Sequence, residues 1–185
     1  MKKISIILMF ICICFAFVAC ESGSFDSENF LMRDSVGKND GIKNLIKALD
    51  NNDKNSLKKL FAPNAIAADE DFEQTLDELF EYYDGSVVSY DDYVQPAVYE
   101  SSEDGNIQKI HEFSHDVVTD VRTYRICVRQ CVYDIDESDN EGISCLYIIK
   151  AEDDESDYKY RGDRLYTPGI HIGVPNSDID VDYAP

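Results

Sequence analysis

The apolar spacing of this chain changes period once, near Asp84-Gly85, and that change limits the fold more than any other feature. Before it, apolar residues recur at helical spacing. Ile42, Leu45, Ile46 and Leu49 fall at i, i+3, i+4 and i+7 behind Asn39-Asp40, which predicts a capped helix from about 41 to 51. Leu57, Leu60 and Phe61 repeat the spacing after Asp53, and Pro63 is expected to end that second, short helix. Phe72, Leu76, Leu79, Phe80 and Tyr83 make a third face. Asp69, Glu70 and Asp71 stand at its positive end and Gly85 is its stop.

After Gly85, β-branched and aromatic residues come in runs: 87–90, 93–101, 107–119, 124–135 and 143–150. Asp104-Gly105-Asn106 reads as a hairpin turn, Asp120 lies in another, and Asp136 to Gly142 form a longer one. The run 107–119 also suits a helix, since Ile107, Ile110, Phe113 and Val117 are suitably spaced; Val117-Val118-Thr119 favours a strand. Along 124–132, Tyr124, Ile126, Val128 and Val132 are expected on one face, with Arg125, Cys127, Arg129 and Cys131 on the other. Helices followed by consecutive antiparallel strands define an α+β protein with three N-terminal helices packed on the sheet.

Ahead of the domain, Met1-Lys2-Lys3 precedes an apolar stretch from Ile4 to Val18. That stretch is shorter than the roughly 20 residues a spanning helix requires, and it has the layout of a secretory signal. Phe17-Val18-Ala19-Cys20 resembles the lipobox of bacterial lipoproteins, although Phe17 departs from the usual aliphatic residue. The resemblance implies cleavage after Ala19 and a thioether-linked diacylglycerol on Cys20, with palmitate among the acyl groups. The protein would then be lipid-anchored on the extracytoplasmic face of the cell membrane. The expected organisation is a signal peptide over 1–19, a flexible tether over 20–37 that includes Glu21-Ser22-Gly23-Ser24, one domain over 38–175, and an acidic tail over 176–185.

Charge narrows the partners. The chain carries 17 Lys and Arg against 37 Asp and Glu, a net −20, and removal of Lys2 and Lys3 with the signal would make it −22. Such a chain would be repelled by nucleic acid and by an anionic lipid surface, so cations, basic proteins and neutral small molecules are the expected partners.

Of six cysteines, Cys12 and Cys14 belong to the signal and Cys20 to the lipid site, leaving Cys127, Cys131 and Cys145. Their spacing does not make a zinc ribbon. Cys127 and Cys131 on one strand would lie about 13 Å apart, beyond disulfide reach. A Cys131–Cys145 cross-strand bond is conceivable, but reduced, half-buried thiols acting as small hydrophobes are the expectation.

The three helices, the passage Leu79-Phe80-Glu81-Tyr82-Tyr83-Asp84-Gly85 and the meander with Val117-Val118-Thr119-Asp120 and Tyr124 resemble the cone-shaped folds of the nuclear-transport-factor-two and ketosteroid-isomerase superfamily. With the lipobox, the chain is similar to a functionally uncharacterised lipoprotein family of Gram-positive bacteria. The resemblance covers residues 38–150 and implies a curved, cone-like, cystatin-like roll of sheet around a helix, with a cavity at its open end. It carries no activity. Ketosteroid-isomerase-like chemistry would need a carboxylate base and hydroxyl donors in an apolar cone, and Asp116, His111, His115, Tyr99 and Tyr124 are the candidates for that pocket.

Metal motifs are incomplete. His111 and His115 could share a zinc on a helix, but on a strand they are about 13 Å apart. Asp134-Ile135-Asp136-Glu137-Ser138 and Asp178-Ile179-Asp180-Val181-Asp182 begin like calcium loops and lack Gly at the sixth position. Glu152-Asp153-Asp154-Glu155-Ser156-Asp157 offers weak cation attraction only. Arg161-Gly162-Asp163 is an integrin-type tripeptide that serves equally as a turn, and Gly169 to Gly173 reads as a closing edge segment with His171 exposed. No metal and no cofactor is expected. The functional expectation is a membrane-anchored binding or interaction module for an unknown small molecule or protein. The alternatives are an enzyme acting on a small apolar or carbonyl substrate in the cone and a structural cell-envelope protein.

Overall fold

A computed structural model describes residues 41–90, 97–103, 106–153 and 166–174. The first helix, α1, covers residues 41–50 and buries Ile42, Leu45, Ile46 and Leu49, the face that the spacing predicts. α2 (Lys54–Lys58) starts at Asp53, whose carboxylate accepts from Ser56 N at 3.0 Å and from Ser56 Oγ at 2.6 Å. That cap satisfies an N–H with no intrahelical acceptor.

Pro63 begins a helix as well as following one. α3 (Pro63–Ala68) has Pro63 in its first turn, where the missing N–H costs nothing and the fixed φ suits the helix. Ala62 before it is extended, as a residue preceding proline prefers, and its N–H donates to Ile143 O at 3.0 Å. Ile143 N returns a bond to Leu60 O at 2.8 Å, so the α2–α3 connection forms a parallel bridge with the sheet. Gly142 makes this crossing possible: at φ +131° it approaches Ala62 N so closely that a Cβ would lie 2.7 Å away. α4 (Phe72–Tyr82) buries Phe72, Leu76 and Leu79 and ends where Tyr83 turns extended. Gly85 then adopts φ +88° in a space where a Cβ would meet Asp120 Oδ1 at 2.6 Å. The described residues thus hold four helices rather than three.

The six described strands form one mixed, mostly antiparallel sheet. They are β1 (Val87–Tyr90), β2 (Ala97–Glu103), β3 (Asn106–Thr119), β4 (Thr123–Asp134), β5 (Gly142–Lys150) and β6 (Gly169–Ile172). The order is β1-β3-β4-β5-β6, with β2 also pairing β3, whose 14 residues are long enough to pair with both. Glu103 faces Asn106 in register, so Asn106, read in sequence as part of the turn Asp104-Gly105-Asn106, is the first residue of β3. The run 107–119, ambiguous in sequence, is strand. β6 departs from the antiparallel expectation and runs parallel to β5, which the long connection from Lys150 to Gly169 permits.

Register shifts opposite Lys109/Ile110 and Arg129/Gln130 leave Val132 of β4 and Ser144 of β5 as extra residues, bulges that bend β4 and β5. They also break the alternation: Val132, expected on the core face, is only half buried, whereas Cys131 is buried. The main core lies between the helices and one sheet face and includes Leu45, Leu57, Phe72, Leu79, Val117, Tyr124, Ile126, Val128, Leu146 and Ile148. On the opposite face Cys127, Cys145 and Tyr147 form a second, smaller cluster against Tyr166 and Val174. The signal, tether and tail expected over 1–37 and 176–185 lie outside the described residues.

Candidate functional site

The five pocket candidates divide between the two faces of the sheet. Alternation along β3 sets His111, Phe113, His115 and Val117 on the helix side, opposite Gln130, Val128, Ile126 and Tyr124 of β4. His111 and His115 are buried, at 1% and 5% exposure, and the Phe113 ring meets that of His115 edge-on at 5.4 Å. Asp116 points the other way. It is exposed and its Oδ1 lies 3.5 Å from Arg125 Nε, its cross-strand partner. Tyr99 of β2 pairs with Ile110 on that same outer face, is 49% exposed, and has the Arg129 guanidinium 5.7 Å from its ring centre.

Tyr124 is fully buried at the end of the core. Its hydroxyl accepts from Asp84 N at 2.7 Å and donates to Tyr82 O at 3.0 Å. The Tyr83 ring stacks on it at 4.8 Å and the Tyr82 ring meets it edge-on at 6.0 Å. Tyr82 Oη in turn accepts from Lys150 N at 2.9 Å. Burial raises all three phenols, Tyr82 to about 12, so they stay protonated at neutral pH and can donate but not act as bases. The tyrosine hydroxyl predicted to line a pocket instead fastens α4 to β4.

The calcium-like string at Asp134 has a local use. The Asp134 carboxylate accepts from Gln108 Nε2 and Asn140 Nδ2, both at 2.9 Å, and from Asp136 N and Glu137 N. These bonds hold its pKa below the usual carboxylate value and organise the β4–β5 turn. Cys127, Cys131 and Cys145 are not joined in disulfides and are fully rather than half buried. Burial pushes the Cys145 thiol up to about 12 and that of Cys131 to about 11. Cys20, Arg161-Gly162-Asp163, the string from Asp178 and residues 154–157 lie outside the described residues.

Two arrangements were not evident from motifs. On the outer face, Glu112, Arg129, Cys145 and Gly169 form one cross-strand row and Ser114, Cys127, Tyr147 and His171 the next. Tyr166 covers them: its hydroxyl donates to Glu112 Oε2 at 2.8 Å and its ring sits 4.1 Å from the Arg129 guanidinium. Its left-handed backbone, φ +54°, is one that a bulky residue adopts only when held there. His171 stacks on Tyr147 at 4.7 Å. The second arrangement is a cleft of about 260 Å³ between α1 and α2, with Asn44, Lys47, Asn51, Asp53 and Lys59 in its wall. Its sequence signal is a local count of charge: residues 41–60 hold five lysines and two aspartates, while 61–90 hold eight acids and no Lys or Arg.

A family model described as a domain of unknown function, DUF5104, matches residues 44–151. The chain belongs to this family. The DUF5104 match runs from within α1 to the end of β5, so β6 and the Tyr166 segment lie beyond it. No curated protein matches the chain.

Proposed function

We propose that this protein is an extracytoplasmic lipoprotein, anchored to the cell membrane through Cys20, whose nuclear-transport-factor-two-like DUF5104 domain binds a partner at its surface. The observation that carries the binding reading is the filling of the interior. Leu45, Leu57, Leu79, Val117, Ile126 and Leu146 are each 0% exposed, and Tyr82 and Tyr83 pack around Tyr124. Ligand sites need concave, accessible space, and the surface carries it in the α1–α2 cleft. Isomerase-type catalysis in the cone is the weaker reading, because Asp116 and Tyr99 face away from His111, His115 and Tyr124.

The anchor reading rests on Phe17-Val18-Ala19-Cys20 and the polar residues after it. Mass spectrometry of protein extracted from membranes tests it: a mature N-terminus at Cys20 carrying diacylglycerol is expected, and Cys20→Ala should abolish the modification and processing. Wild-type protein that retains residues 1–19 and fractionates like Cys20→Ala would rule it out.

A further inference from the structure

We propose that the cleft between α1 and α2 is an anion site that takes a phosphate group, supplied by the phosphodiester of a lipid headgroup. The five lysines of residues 41–60 are used in two ways. Lys54 pairs with Asp77 at 2.6 Å and Lys58 pairs with Glu73, which fastens α2 to α4. Lys43, Lys47 and Lys59 are exposed and have no acidic partner within ion-pair distance among the described residues.

Lys47 and Lys59 flank the cleft, and Asn44 adds an amide. Asp53 also lines it; its carboxylate is engaged by both Ser56 groups and keeps its charge, which those bonds and Lys59 help to stabilise, and Asn51 Nδ2 donates to Lys47 O. The groups left to a ligand are therefore two ammonium donors and one amide, a set suited to phosphate oxygens. The wall is fixed by buried Ala48 and by the capped start of α2, so the donors sit on a preorganised scaffold.

The net charge of the whole chain does not exclude this ligand. Exposed charges farther away than about 8 Å are largely screened at physiological ionic strength, so a docked phosphate responds mainly to nearby groups; with Lys54 and Lys58 neutralised by Asp77 and Glu73, these are Lys43, Lys47 and Lys59 against Asp50 and Asp53, a local +1. The lipid source rests on the anchor reading. With Cys20 in the membrane, α1 is the first described element after the tether, and anchoring keeps it within reach of headgroups.

The test uses the full chain in zwitterionic detergent, so it gives its answer whether or not Cys20 is lipidated. Amide shifts are followed on titration with dihexanoyl phosphatidylglycerol, dihexanoyl phosphatidylcholine and inorganic phosphate. Saturable shifts over residues 43–60 with the phosphatidylglycerol are expected, weakened about fivefold by Lys47→Gln and again by Lys59→Gln. Glu70→Gln should change nothing. Saturation by inorganic phosphate alone, with the same lysine dependence, keeps the anion site and overturns the lipid source. No saturable shift with any probe, or binding unchanged in the double lysine variant, overturns the site.

Discussion

The two faces of the DUF5104 sheet are built on different principles. The helix face is a continuous core in which large aliphatic side chains from β3, β4 and β5 meet those of all four helices. The outer face is a mosaic of two thiols, a Tyr–His stack, and a carboxylate and guanidinium held by Tyr166. The first face gains stability from buried apolar area, which is large and nondirectional. The second depends on a few directional contacts, which contribute less but fix how the segment after residue 165 lies on the sheet. The difference teaches that stability and surface chemistry are separable here and can be perturbed independently.

The sharpest distinction is chemical. Alkylation requires thiolate, and burial raises the Cys145 thiol from an unfolded value near 9 to about 12. At pH 8 it should therefore react about a thousandfold more slowly in native protein than in urea. Between pH 9 and 12 the unfolded chain has already lost this proton while the folded one keeps it. In that window the native rate climbs about tenfold per unit, and stability falls as pH rises. Equal native and urea rates at pH 8 would mean that the outer cluster is open. The second largest effect belongs to the helix face: Ile126→Ala, at a position 0% exposed, should cost about 3–4 kcal/mol in urea unfolding. A cost below about 1 kcal/mol would contradict a tightly packed inner core.

Tyr124→Phe isolates the polar element within that core. It keeps the stack with Tyr83 but leaves the Asp84 N–H without its acceptor, at a cost of about 2 kcal/mol. If Tyr124→Phe were neutral, the hydroxyl would not be what joins α4 to β4.

Legibility in the sequence followed the same division. Helices α1 and α4 could be read because each presents an apolar face over about two to three turns to one core. α3 was missed because its six residues give too short a pattern, and Pro63 was read only as a stop. Alternation reports which side a residue faces but not strand direction, so β6 could be expected as an edge without being seen as parallel. The bulges at Val132 and Ser144 are not marked by glycine, so the side that Val132 takes is not legible from alternation. The candidate pocket grouped residues by chemistry, whereas one-residue steps such as His115 to Asp116 send neighbours to opposite faces. The lysine-rich cleft was visible as a local charge, but the total of −20 obscured it.

The smallest expected effect bears most directly on the outer face. Tyr166→Phe removes the hydrogen bond to Glu112 Oε2 and keeps the ring over Arg129, so global stability should fall by only about 1 kcal/mol. Its local consequence should be larger in kind. Tyr166 packs against the Cys127–Cys145–Tyr147 cluster, so loosening it should raise the native alkylation rate of Cys145 while Cys131, which lies outside that cluster, keeps its own. Ile126→Ala should instead speed both thiols together, because it acts through global unfolding. A Tyr166→Phe protein that labels Cys131 and Cys145 in the wild-type proportion would show that the two faces open as one unit, and the separation drawn between them would fail.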